Sequence, residues 1–308
     1  MFTKFIKTKK FITAIKIIIS LGVFVYLLST IQFSNLIQTF LKIKTIYILP
    51  ILILVFFSML IRTFRWQIIL RRLDINQPIF VLFKYNLIGS FFASVTPAKV
   101  GDFGRAYFIW KKNKFPADKS IFSVLVDRGL DVLTLLLLGL IAVIYFSKLF
   151  YIFPFVFLIF SLIIIIIFFA IIGQKHILNF LSKIFFKKIS SESIEKCLCL
   201  LKSPSLIGKL VLITFFNWLL IFIQAEFLIL ALDQQITIFQ ISLLVSMVML
   251  IVLIPITVSG FGTRELATVY FFSMVGIEPT VAISFSLLWT FFGIVLPALI
   301  GGVILGKV

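Results

Sequence analysis

Seven ionic side chains stand in or beside long apolar runs of this chain: Asp102, Arg105, Asp127, Arg128, Asp131, Arg264 and Glu265. A charge at the middle of a bilayer costs about 2.5–3.5 kcal/mol on insertion scales, so the set, unpaired at depth, would cost roughly 20 kcal/mol. Four acids and three arginines must therefore pair, line water or lie at an interface. Asp127 and Asp131 are four residues apart and share a helical face, and Arg128 is three residues from Asp131. Such a face can hold an arginine while leaving it open to a ligand. It can equally be a plain ion-pair staple between helices, and Asp-Arg-x-x-Asp fits both.

Arg105 and Arg264 each follow a break in apolar sequence. The first break, Thr96–Gly104, contains Pro97, Gly101 and Gly104; the second, Pro255–Gly262, contains Pro255, Gly260 and Gly262. Inside a membrane, unwound backbone is tolerated only where protein buries it or where it lines a watery cavity. A helix that starts after such a break points free N–H groups and its positive dipole end at the cavity. That arrangement suits a phosphate, with Arg105, Arg128, Arg264 and Lys99 as head-group ligands and Asp102, Asp127, Asp131 and Glu265 orienting them. The competing reading is two elbows that only help packing. The breaks resemble each other loosely, which alone does not establish a repeat, although transporters often build midplane sites from two interrupted segments.

Other chemistry finds no residues to carry it. The lone histidine, His176, has no cysteine or carboxylate cluster beside it, and Cys197 and Cys199 are too few for zinc. Without a Ser/His/acid set, an Asp-x-Asp pair or a P-loop, the sequence predicts no catalytic residues, no metal and no cofactor. Glu226 is an isolated acid in an apolar stretch, with Asn217 and Gln224 as candidates for interhelical hydrogen bonds.

The elements that must position these residues are set by composition. The 308 residues are 62% hydrophobic, against about 45–50% in soluble domains, and no water-soluble fold hides that excess. The chain reads as an all-α, polytopic helical bundle of a cell inner membrane with two broken or re-entrant regions, near 80–110 and 255–277. It forms one transmembrane domain over 1–308 with about seven to eight spans. Spans are expected at 11–31, 45–61, 120–146, 152–172, 209–232, 236–256 and 280–305. Arg62, Arg65 and Trp66 read as interfacial anchors on a surface helix over 62–79. The net charge of +18 belongs to loops that set topology and meet anionic lipid, not to nucleic acid. The basic loop 173–205 and both termini then fall in the cytoplasm.

Four motifs in order, RTFRW (62–66), TPAKVGDFGRAY (96–107), SVLVDRGLDVL (123–133) and PITVSGFGTRE (255–265), resemble the lysylphosphatidylglycerol synthase transmembrane (flippase-like) family. Pro97, Gly101, Asp102 and Arg105 match its first elbow, Asp127 and Arg128 its acid-Arg pair, and Gly260, Gly262, Arg264 and Glu265 its second elbow. Many members carry Asn shortly before the Pro, where Ala93 and Ser94 stand here. The resemblance implies the lipid-moving part of such proteins rather than synthase chemistry. Anionic membrane lipids are the expected partners; the other class of function is a membrane anchor for a separate glycosyl- or aminoacyl-transferase.

Overall fold

The computed structural model describes residues 33–146, 203–254 and 256–307. Expected spans 11–31 and 152–172, most of loop 173–205, the two cysteines, His176 and Pro255 lie outside them. The described residues form an all-α membrane bundle. Its helices, in chain order, are α1 (Phe33–Leu41), α2 (Ile48–Arg72), α3 (Ile79–Ser94), α4 (Gly104–Asn113), α5 (Ala117–Tyr145), α6 (Pro204–Ala231), α7 (Ile238–Leu253), α8 (Thr263–Ser273), α9 (Pro279–Thr290) and α10 (Leu296–Leu305). A seven-residue 3₁₀ turn, Pro97–Phe103, joins α3 to α4, and a shorter one, Val258–Gly260, precedes α8.

Four stretches are long and apolar enough to cross a membrane: Thr45–Arg72, Ala117–Tyr145, Pro204–Ala231 and Pro279–Leu305. At 1.5 Å per residue each runs about 40 Å, past the roughly 30 Å of hydrocarbon. The last passes through a π-turn at Phe291–Val295. Pro297 follows at once; it offers no N–H and crowds the carbonyl four residues back, so the extra residue of the bulge absorbs the lost bond.

The two other helix pairs are re-entrant, and they enter from opposite ends. Helices α2 and α6 are antiparallel: the Lys44 N–H donates to the Ala231 carbonyl at one end, while Arg71 and Arg72 face Ser205 and Lys209 at the other. The α3–α4 hairpin starts at the second, basic end and returns there, where Asn113 Nδ2 donates to Gln77 Oε1. The α7–α8 hairpin starts at the first end, where Tyr145 of α5 stacks edge-on against Phe239. The tips of the hairpins, the two 3₁₀ turns, pack against each other inside the bundle.

This corrects two expectations. Residues 62–72 continue α2 instead of forming a surface helix. Residues 236–256 do not cross; α7, 16 residues long, is the inward arm of the second hairpin, so that region starts well before 255. An apolar run of that length is long enough to reach mid-bilayer and too short to span it comfortably.

The geometry also reveals an inverted repeat. Crossing helix, hairpin, crossing helix describes both α2 to α5 and α6 to α10, but the second copy runs upside down. The copies hold one register: Leu73-Asp74 matches Leu232-Asp233, Ile79-Phe80 matches Ile238-Phe239, Gly101 matches Gly260 and Arg105 matches Arg264. Asp74 and Asp233 both adopt positive φ, at 65° and 59°. Ser58 donates to Asn217 at 3.0 Å, and these partners are themselves 159 residues apart, the same separation as the matched pairs. Equivalent residues touch each other only on a twofold axis, so the pseudo-axis passes through that contact.

Candidate functional site

Five of the predicted site residues come together with Arg62, Arg65 and Trp66, the three residues that the sequence reads as interfacial anchors. Helix α2 presents Arg62, Thr63, Arg65 and Trp66 on one side, since i, i+3 and i+4 share a face. Helix α3 adds Asn86, the first break adds Asp102, and α4 adds Arg105. Helix α5 contributes Asp127, Arg128 and Asp131, and α6 contributes Thr214. Counting along α2 from Arg72 and along α5 from Lys119 places this cluster about 10–12 Å inside the basic end.

Asp127 is the hub and is fully buried. Its Oδ1 accepts from Arg65 Nε at 2.7 Å, and its Oδ2 from Arg105 Nη2 at 2.6 Å and Arg128 Nη2 at 3.1 Å. Asp131 accepts from Arg65 Nη1 at 2.7 Å and lies 3.1 Å from Arg128 Nη2. Arg62 Nη2 donates to both oxygens of Asp102 at 2.9 Å. Arg128 Nε is 3.0 Å from Asp102 Oδ2 but off line for a hydrogen bond. Arg105 also donates to Asn86 Oδ1 at 2.9 Å, while its Nε has no hydrogen-bond partner among the described residues; Asn86 in turn donates to Thr63 Oγ1 at 2.8 Å. The Arg105 guanidinium lies 4.6 Å over the Trp66 ring, and Trp66 is pinned by its bond to Ser123 Oγ at 2.9 Å.

Close packing makes this approach possible. A Cβ on Gly89 would sit 3.2 Å from Asp102 Oδ1, and one on Gly101 would fall 2.1 Å from the Phe92 carbonyl oxygen. The glycines let the broken segment lie flat on α3.

The interfacial reading of Arg62, Arg65 and Trp66 is therefore overturned. Arg65 and Trp66 are fully buried, and Arg62 is an ion-pair partner. An arginine near a helix end looks alike in sequence whether it meets head groups or an aspartate 62 residues away. Nothing in the local sequence separates the two cases, because the predicted set of four cations and four acids is already balanced. With Arg62 and Arg65 counted, four guanidiniums face three carboxylates, so the cluster keeps one formal positive charge in excess. Its accessible side carries Arg62 and Arg128, whose side chains retain 22% and 28% of their surface.

Arg264 and Glu265 form a separate group at the second break. Ser259, Gly260 and Gly262 take positive φ there, at 52°, 78° and 88°. Arg264 is buried; its Nη1 donates to Thr290 Oγ1 at 2.5 Å and its Nη2 to the Ser259 carbonyl at 2.6 Å. Glu265 does not orient Arg264. One of its oxygens accepts the Gly262 N–H at 2.6 Å, capping α8, and the other accepts from Ser286 Oγ at 3.0 Å. Lys99 and Pro97 lie in the first 3₁₀ turn. Asn217 bonds across the axis as described, while Gln224 Nε2 is buried without a hydrogen-bond partner among the described residues.

Among the described residues no group of three or more His, Cys, Asp or Glu is arranged for a metal. The chemistry on hand is that of guanidinium and hydroxyl donors around an anion.

The family model for the lysylphosphatidylglycerol synthase TM region matches residues 13–301. A UPF0104 membrane protein of Methanocaldococcus jannaschii is 24% identical over 312 residues, which cover 94% of this chain and 93% of that protein. A UPF0104 membrane protein of Pyrococcus horikoshii is 25% identical over 290 residues, 85% of this chain and 87% of that one.

Proposed function

The chain belongs to the lysylphosphatidylglycerol synthase transmembrane family, and from that premise we propose that it binds an anionic phospholipid or lipid-linked intermediate and moves its head group across the membrane. The observation that supports this most is the buried cluster with one uncompensated positive charge, set where two re-entrant tips meet. A buried cation in excess calls for an anion, and the acyl or isoprenoid tails of such a ligand can stay in the lipid while the phosphate enters. Arg62 and Arg128 make the first contact from the basic end. The positive-inside rule puts that end, with Arg71, Arg72, Lys111, Lys112 and Lys209, on the cytoplasmic side.

Reconstitution tests the reading. Protein in phosphatidylcholine vesicles should translocate a fluorescent phosphatidylglycerol at least about tenfold faster than protein-free vesicles. Arg128→Gln, which removes the more accessible of the two cations, should reduce that rate by roughly 10- to 100-fold, the worth of one charge-assisted hydrogen bond or two. Equal rates with and without wild-type protein would refute it.

A further inference from the structure

The inverted repeat sets two arginine cradles side by side for comparison, and they differ in one respect. Arg105 and Arg264 hold the same register position at the start of the outgoing arm of their hairpins. In the first cradle the arginine meets two carboxylates: Asp102 from its own break, at 3.4 Å, and Asp127 from the crossing helix that follows, at 2.6 Å. In the second, Phe261 stands at the register position of Asp102. The crossing helix that follows offers Thr290, bonded to Arg264 at 2.5 Å. By the same register Ser286 stands where Asp127 does and Thr290 where Asp131 does, so both anions that pair with Arg105 give way to uncharged residues; the second cradle's own carboxylate, Glu265, bonds Gly262 and Ser286 and makes no hydrogen bond to Arg264.

We propose that Arg264 is the docking station for the ligand's phosphate, and that Arg105 is a structural member of an internally paired lock. This inference rests on the ligand being anionic, as read above. The ligand chemistry it names is an anionic phosphate oxygen, carried by a lipid head group or by free phosphate.

Four observations converge on it. Arg264 is 98% buried, at 2% relative exposure, and none of the ion pairs among the described residues involves it. Its Nε, like those of Arg62, Arg105 and Arg128, is buried without a hydrogen-bond partner among the described residues, and here no carboxylate bonds the rest of the guanidinium. Both oxygens of its neighbour Glu265 are taken by Gly262 and Ser286. Finally, the Ser259 carbonyl that now accepts from Nη2 belongs to a residue held at φ 52°, a region costly for a non-glycine residue. A neutral carbonyl is a weaker acceptor for guanidinium than an anionic oxygen, so a phosphate displaces Ser259 and lets the strained turn relax. Beside Arg264 lies a cavity of about 10 Å³, lined by Val245, Val248, Met249, Phe285 and Trp289. It has room for a water and no more, so the cradle is closed here.

The test uses the full chain in a neutral detergent and reads thermal stabilisation by two probes, phosphatidylglycerol in mixed micelles and inorganic phosphate. Wild type should be stabilised by at least one of them; lipid alone assigns a head group, phosphate alone a free anion. Thr290→Asp puts a carboxylate within bonding reach of Arg264, which none of the hydrogen bonds or ion pairs among the described residues now gives it. It should weaken the apparent affinity by about 10- to 100-fold while leaving the unliganded Tm equal to wild type or higher. Arg264→Gln should weaken it comparably, and it carries the test should Thr290→Asp fail to fold. Unchanged affinity in the folded variants, or no stabilisation of wild type by either probe, overturns the assignment. The outcome separates from the transport reading. Probe binding that depends on Arg264 in a protein that moves no lipid refutes transport alone. Transport that survives both substitutions refutes this site alone.

Discussion

Asp127→Asn should destabilise the protein by about 3–5 kcal/mol, the cost of leaving buried charge uncompensated. The carboxylate accepts from Arg65, Arg105 and Arg128 in a place without solvent exposure. Asparagine keeps the volume but removes the charge, and its NH₂ group points donors at guanidiniums that also donate. The cluster's excess then rises from one positive charge to two. Thermal unfolding in detergent should show a Tm lower by more than 10 °C, or the protein should lose its single size-exclusion peak. Pairing the change with Arg65→Met should recover part of the loss, because the second substitution removes a charge the first had stranded. A Tm within about 2 °C of wild type for Asp127→Asn would mean the ion pairs add nothing to folding.

Gly101→Ala should be nearly as damaging for a different reason. The new Cβ would fall 2.1 Å from the Phe92 carbonyl oxygen, 2.2 Å from its carbon and 2.7 Å from the Ala93 nitrogen. All three are backbone atoms, so no rotamer change relieves the clash. The first break must lift off α3, carrying Asp102 away from Arg62 and Arg105. Overpacking typically costs about 1–3 kcal/mol, and the lost ion pairs add to it; folded yield and Tm report the sum. Gly208→Ala is the control. Nothing lies within 4 Å of its would-be Cβ, and the position is inside α6. Alanine there should raise stability by about 0.5–1 kcal/mol. Equal Tm shifts in the two variants would remove close packing as the reason for glycine at 101.

The two cradles differ in how their arginines are held. The first holds α2, α3, α4 and α5 together through ion pairs made within the chain, and Arg62 and Arg128 on its rim lend it a positive face. In the second, Arg264 hydrogen-bonds only hydroxyl and carbonyl oxygens, with the Glu265 carboxylate beside it but bonded elsewhere.

Much of the architecture was legible in local sequence. The crossing helices α5, α6 and α9–α10 fall within a few residues of the runs expected at 120–146, 209–232 and 280–305, because twenty or more apolar residues have only one way to satisfy their backbone in lipid. The first hairpin was legible too, since Pro97, Gly101 and Gly104 interrupt a run too short to cross. Helix α7 was not: Ile238–Leu253 is apolar apart from Gln240, Ser242 and Ser246, and apolarity alone does not say whether a helix exits the far side or turns back. Five ionic residues of the cluster were named from spacing, whereas Arg62 and Arg65 were placed at the head groups and Asn86 was not singled out. Their partners lie on other helices, and nothing within a few residues of them records that.

Charge and apolar length along the chain dictated that this protein lives in a membrane, bends twice within it and must pair its buried ions. Which arginine pairs with a carboxylate and which is left without one depended on how the two inverted halves dock. Coulombic pairing acts over a few ångströms through space, and neighbours in space are chosen by packing, not by chain order.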